Sequence, residues 1–303
     1  MSAPGPPRLT LVPSTPPAPD AATHVLSGRR PVEIVDIGAN PIDGEPPYAP
    51  LLEPGVARVT GFEPQESAYA ELTTREDGAH RYLPYAVGDG TEHTLRLCVE
   101  SGFASMLEPD RAQLGLLTDF PGMASVTDRV PMATRRLDDI TEIEQLDYLK
   151  IDIQGGELDV FRHGRRLLAR AVAVQTEVGF TRLYEDQPTF ADLDLELRTQ
   201  GFVPHLFVNT KTWPLAPLQW ADPLQEQARH LVEADVLYVR DLARLDVLSE
   251  DQLHHLGLIC DLAYASYGVT LLCIAELVRR GVLDPDSARI FRDQLAVRTQ
   301  PTP

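Results

Sequence analysis

Apolar and polar positions change rhythm several times along this chain, and each change marks an element. Val32 to Ile37 is a short, nearly continuous apolar run that breaks at Gly38-Ala39-Asn40, the pattern of a buried parallel strand entering a loop. Val56 to Phe62 repeats the pattern and stops at Glu63-Pro64; Gln65 to Leu72 then has helical spacing, with Pro64 suited to a first helical turn. Tyr82 to Val87 predicts a third strand, ending at Gly88-Asp89-Gly90. Leu95, Leu97 and Val99 alternate with polar residues, so a more exposed strand follows. Residues 100–125 hold no clear period and read as a lid-like insertion. Tyr148 to Ile153 predicts a fourth core strand, and Gly155-Gly156 leads into a helix carrying Leu158, Phe161 and Leu168. Ala171 to Val178 reads as a fifth strand. Thr189 is placed to cap a helix that Gly201 closes, and Phe202 to Val208 with Ala234 to Val239 predicts a final antiparallel pair.

After Asp241 the period becomes helical. Ser249 and Gln252 form a capping-box pair, helices are predicted at 249–263 and 267–280 with Gly281 as a stop, and Asp284-Pro285 begins a third. The apolar helix through Val269 to Leu277 either packs on the domain or forms a subunit interface, so a homo-oligomer is one expected partner state. The alternation of strands and helices predicts a doubly wound α/β fold, a mostly parallel sheet covered on both faces, with a C-terminal helical extension. The expected boundaries are a Pro-rich tail over 1–30, a core domain over 31–240 and the extension over 241–303. Seven prolines among residues 1–20 predict a disordered, polyproline-like start.

Composition narrows the function classes. The 45 Asp and Glu outnumber the 27 Lys and Arg in a chain of 303 residues, a formal charge of −18. That field repels nucleic acid and anionic membranes, so neither is an expected partner. No apolar run is long enough for a membrane helix, no secretory signal opens the chain, and the three scattered cysteines read as reduced thiols, so the expected location is the cytoplasm.

The polar residues of interest fall at strand ends, where ligands bind on such sheets: Asp36, Glu63, Asp89, Asp152 and Glu177. Gly38 permits a tight turn, but Asp36-Ile37-Gly38-Ala39-Asn40-Pro41 lacks the glycines of a pyrophosphate loop. An acidic, Pro-containing loop suits a cationic sulfonium ligand better than a dinucleotide. Glu63, 25 residues after Gly38, could accept hydrogen bonds from ribose hydroxyls or simply favour a helix start. Asp152, before Gln154-Gly155-Gly156, could orient a reacting group or accept a proton, with Glu177 on the next strand as partner. Two such carboxylates could meet Mg²⁺, but oxygen cages need more donors, and no metal is expected. Lys150 reads as a buried ion-pair partner, and the histidines show no ligand spacing.

Taken in order, Asp36-Ile37-Gly38-Ala39-Asn40, Gly61-Phe62-Glu63-Pro64, Ala86-Val87-Gly88, Leu137-Asp138 and Leu149-Lys150-Ile151-Asp152-Ile153-Gln154-Gly155-Gly156-Glu157-Leu158 resemble the FkbM family of S-adenosylmethionine-dependent methyltransferases. The resemblance covers about 32–210. It implies a class I methyltransferase (Rossmann-like) fold, a seven-stranded sheet with an antiparallel last strand, and O-methylation of a hydroxyl on a carbohydrate or small metabolite. It also implies that Asp36, Gly38 and Asn40 border the methionine part of S-adenosylmethionine. Glu63 with Pro64 would meet the ribose, Ala86, Val87 and Gly88 the adenine, and Asp152 the methyl. Ser105 resembles a family serine at the mouth of the site, and Gln154 and Tyr184 join it as substrate candidates. Where the family loop turns on a glycine soon after Asn, this chain has Pro41-Ile42-Asp43-Gly44-Glu45-Pro46-Pro47. Two other readings stay open: a non-catalytic scaffold working through 241–303, and an NAD(P)-dependent oxidoreductase.

Overall fold

The computed structural model describes residues 20–26, 28, 30–39, 44–219 and 223–298. Asn40, most of the Pro-rich start and loop residues 41–43 lie outside the described residues. Ten strands are named in chain order: β1 Val32–Ile37, β2 Ala57–Phe62, β3 His80–Leu83, β4 Ala86–Val87, β5 Glu92–Cys98, β6 Val126–Arg135, β7 Tyr148–Ile151, β8 Ala173–Gly179, β9 Phe202–Pro214 and β10 Arg229–Arg240. The main sheet has seven strands in the order β3-β2-β1-β7-β8-β10-β9. β1, β2, β3, β7 and β8 run parallel, and β10 is antiparallel to both its neighbours. This is the seven-stranded class I methyltransferase arrangement. The chain leaves β1 toward β3 and later returns to β1's other edge as β7, so the switch point lies between the ends of β1 and β7, where open α/β sheets bind ligands.

Alternation along each strand divides the core in two. Ile34, Val59, Tyr148, Leu237 and Val239 face one side, where Leu253, Leu256, Ile259, Cys273, Ile274 and Leu277 cover them. Val35, Ile37, Phe62, Leu149, Ile151 and Val236 face the other, under Leu158, Phe161, Leu193 and Leu197. The helices Glu250–Leu262 and Tyr267–Arg279 therefore form one outer layer of the sheet and share its core. The capping box at Ser249 is formed, with the Ser249 hydroxyl accepting from Gln252 N at 3.1 Å. At Thr189 the Asp192 carboxylate accepts from the backbone N–H at 2.8 Å, so both predicted helix starts are present. Among the described residues, no helix is long and apolar enough to cross a membrane.

Two expectations need correction, and a third element was missed. The segment read as tail through residue 30 includes a helix, Asp20–Leu26. Leu26 is fully buried, and a Cβ on Gly257 would lie 2.6 Å from its Cδ1, so Leu26 fills the space that this glycine leaves. Seven residues are too few to show a period, and only the tertiary groove makes that helix worth forming. Second, the strand read over Tyr82 to Val87 is two strands. It divides after Leu83, where Pro84 has no N–H to donate, and β4 then pairs with β6 in a separate three-stranded sheet with β5. Third, β6 went unread because its residues are mostly exposed or half-buried and it includes Pro131.

The described start of the chain is clasped to the sheet. Asp147, just before β7, accepts two hydrogen bonds from Arg30, at 2.5 and 2.8 Å, and one from Glu33 N at 2.9 Å. His255 Nδ1, on the covering helix, lies 3.1 Å away. Burial alone would raise the Asp147 carboxyl, but His255 and Arg30 outweigh it and hold the group at about 2. A carboxyl held below its ordinary value stabilises the fold above pH ~4 and loses that contribution as pH falls toward 2. Asp147→Asn is therefore expected to cost about 3 kcal/mol near neutrality. Urea unfolding at pH 7 and at pH 3 checks this, the difference between wild type and variant shrinking at the lower pH.

Candidate active site

The site grows from the switch point. Asp36 and Lys150 are register partners on β1 and β7, so their side chains share a face and meet, Nζ to Oδ1 at 3.3 Å. The Tyr48 hydroxyl donates to Asp36 Oδ2 at 2.6 Å. Burial pushes the Asp36 carboxyl up, and the Lys150 ammonium and Tyr48 hydroxyl pull it partly back. Asp36 Oδ1 is buried with no hydrogen-bond partner. Lys150 is the buried ion-pair partner expected, and it also reaches the Gly38 carbonyl at 3.3 Å.

Gly38 has φ +82°, and a Cβ there would fall 2.1 Å from the Asp152 carbonyl oxygen. Only a glycine lets the β1 loop lie this close to the end of β7. At the end of β2, Glu63 is nearly buried and burial raises its carboxyl. One of its oxygens accepts from Gln65 N at 2.8 Å. Its other oxygen has no hydrogen-bond partner among the described residues. Pro64, Ala86, Val87 and Gly88 continue the wall.

The turn after β7 is locked from several sides. Gln154 has φ +57° and Gly155 φ +106°. The buried Glu157 carboxylate accepts from Ile153 N and Gly155 N, both at 2.9 Å, and burial raises its pKa to about 7. The Ser105 hydroxyl donates to the Gln154 carbonyl at 2.6 Å. The Gln154 amide then donates to Asp152 Oδ1 at 2.8 Å and to Glu177 Oε2 at 2.7 Å, while its oxygen accepts from the Tyr184 hydroxyl at 3.2 Å. Lys211 on β9 pairs closely with Glu177 and lies 3.8 Å from Glu233 on β10. Burial first, and the neighbouring carboxylate Asp152 second, push Glu177 well up.

These residues surround a cleft of about 870 Å³. Asp36, Gly38, Glu63, Pro64, Ala86, Val87, Gly88, Asp152 and Gln154 all line it. Three sequence candidates do not. Ser105 and Tyr184 are almost wholly buried behind the wall and hold Gln154 and its turn, so they position the site and do not face its contents. Glu177 is likewise behind, joined to Asp152 through Gln154. Lys211, Asn209, Glu233 and Asp235, which do line the cleft, escaped sequence reasoning. They come from the last two strands, and only the insertion of β10 beside β8 brings them near β7. Among the described residues, no group of three or more His, Cys, Asp or Glu is arranged for a metal ion.

The model of the methyltransferase FkbM domain matches residues 36–204. The chain belongs to the FkbM methyltransferase family. No curated protein matches it by sequence. Among solved structures, it is similar to a putative S-adenosylmethionine-dependent methyltransferase from Listeria monocytogenes, at 9% identity over 70% of this chain and 91% of that one, TM-score 0.39. It is also similar to magnesium protoporphyrin IX methyltransferase from Synechocystis PCC 6803 with bound SAM, at 12% identity over 70% and 71%, TM-score 0.36.

As an FkbM methyltransferase the chain uses S-adenosylmethionine, and its residues suit that cofactor. Glu63 has a second acceptor for a ribose hydroxyl, and Ala86 to Gly88 offer an apolar edge for a base. When bound, the cofactor supplies a methyl group on a sulfonium cation, and the acidic residues around the cleft favour that charge. The oxidoreductase alternative falls with the family match.

Proposed function

We propose that this methyltransferase O-methylates a hydroxyl on a carbohydrate or small metabolite, with Asp152 as proton acceptor. The observation that carries the reading is the state of Asp152. Gln154 occupies one of its oxygens, and the other has no hydrogen-bond partner among the described residues, at the edge of the cleft. A hydroxyl is a weak nucleophile that loses its proton as its oxygen bonds to the methyl carbon, so a placed carboxylate helps. Most of the acceleration comes from positioning acceptor and donor in line, which the locked turn after β7 provides. Glu177, charge-paired with Lys211, keeps Gln154 turned toward Asp152 and so acts through it. Phe103 and Trp213, each packed on Phe120, also line the cleft and offer it aromatic surface of the kind a sugar ring covers.

The test is transfer of labelled methyl from S-adenosylmethionine into a panel of polyhydroxylated acceptors. An ether product stable to mild base is expected, and it should vanish when the methylated hydroxyl is replaced by hydrogen. Label recovered on a carboxylate or amine instead would overturn the reading.

A further inference from the structure

Beyond Asp152 the cleft runs onto β9 and β10, where Asn209, Lys211, Glu233 and Asp235 line it. In the antiparallel register Asn209 is opposite Asp235, and Lys211 is opposite Glu233. Asn209 is 7% exposed, and its Oδ1 has no hydrogen-bond partner. Its amide group is turned to the Asp235 carboxylate. Glu233 is also 7% exposed, and the nearest ammonium, Lys211 at 3.8 Å, is drawn to Glu177 instead. Lys150 is committed to Asp36. This wall therefore presents one buried acceptor without a donor, Asn209 Oδ1, beside carboxylates that Lys211 only partly compensates. The carboxylates of Asp152, Glu177, Glu233 and Asp235 stand around the Lys211 ammonium, and Lys150 also acts on Asp152 and Asp235.

We propose that Asn209, Glu233 and Asp235 form a subsite for a protonated amine on the acceptor, making the substrate an amino-bearing hydroxyl compound such as an amino sugar or amino alcohol. The inference rests on the O-methylation reading above. An ammonium brings three N–H donors and one positive charge; a neutral hydroxyl brings one donor and no charge. Asn209 Oδ1 takes one of those donors and the carboxylates of Asp235 and Glu233 take the rest. Burial chiefly, with repulsion from Asp152, pushes the Glu233 and Asp235 carboxyls up. A bound cation relieves that repulsion, whereas an acceptor carrying phosphate or carboxylate adds to it. Asn209 contributes an acceptor without a further charge, which keeps the wall from repelling itself more strongly.

The test uses the full chain saturated with S-adenosylhomocysteine and two matched pairs of probes. These are glucosamine against N-acetylglucosamine, and 2-aminoethanol against ethane-1,2-diol. Binding of each probe is read by calorimetric titration. The amine of at least one pair is expected to bind about ten-fold more tightly than its neutral partner, the step from a neutral to a charge-assisted hydrogen bond. Asp235→Asn should reduce that preference to two-fold or less, and Asn209→Leu should weaken the amine alone. Unchanged S-adenosylhomocysteine affinity shows that each variant is folded. The proposal is overturned if neither amine binds better than its partner, or if Asp235→Asn keeps the preference. In that event, transfer of methyl to a neutral hydroxyl would leave O-methylation standing and remove only the amine subsite.

Discussion

Asp152→Asn is expected to lower kcat by about 10³-fold, with S-adenosylhomocysteine affinity held within about two-fold. An amide is nearly the same size as a carboxylate but does not take up a proton at neutral pH. Its amide oxygen can still accept the hydrogen bond that Gln154 gives Asp152 Oδ1 at 2.8 Å, so the turn is kept. Loss of the base acts on the transfer step, because it is not needed to hold a neutral thioether product. Single-turnover rates at saturating cofactor, beside calorimetric titration with S-adenosylhomocysteine, separate an effect on transfer from one on binding. A variant that keeps the wild-type single-turnover rate would remove Asp152 from the chemistry. A variant that loses affinity and rate together would make it a cofactor-holding residue instead. Glu177→Gln should fall between, about ten-fold down, since it touches Asp152 only through Gln154.

Gly38→Ala is expected to cost about 4 kcal/mol of stability and to weaken S-adenosylhomocysteine binding at least ~100-fold, although it adds a single methyl group. Two costs combine. At φ +82° an L side chain is strained against its own backbone. The new Cβ would also lie 2.1 Å from the Asp152 carbonyl oxygen, which is backbone and cannot rotate aside. That carbonyl is tied down, since Asp152 N donates to Ile37 O at 3.0 Å, and Gly38 N donates to Phe62 O at 3.2 Å. The β1 loop must therefore part from β7 and from β2 together, opening the cleft where cofactor and acceptor meet. Thermal unfolding and cofactor titration check both numbers. Gly44 is the contrast: it also has positive φ, +99°, but a Cβ there would meet nothing within 4 Å. Gly44→Ala should carry only the conformational cost, about 1 kcal/mol.

These predictions draw unequally on sequence and structure. The turn at Gly38 and the carboxylate at Asp152 were legible because a strand that ends at a ligand site must stop being apolar. Lys150 was legible as one member of a buried ion pair, since an ionised group inside a core strand needs a partner, but only the register of β1 and β7 identified Asp36 as that partner. Tyr184 and Ser105 could be named only as candidates, because residue type says nothing about which side of a wall a side chain occupies. The hydroxyl of Ser105 points at the Gln154 carbonyl from behind. Glu157, quoted only as part of a motif, turns out to hold that turn through two backbone N–H groups.

What the sequence by itself determined is everything governed by near neighbours along the chain. Period-two and continuous apolar runs placed the parallel strands of the main sheet, and capping pairs placed the helices at Thr189 and Ser249. Ordered glycines and acids placed one wall of the cleft, because one strand and its following loop carry each of those features. What only the tertiary structure decided is what depends on strand order and on packing between distant segments. β10 enters the sheet between β8 and β9, and that step alone brings Lys211, Glu233 and Asp235 beside Glu177 and Asp152. The helix Asp20–Leu26 exists because Leu26 fills the groove over Gly257, more than two hundred residues later. Local propensity acts over a few residues, whereas burial and charge act through space, and so the acceptor wall appeared only once the chain had folded.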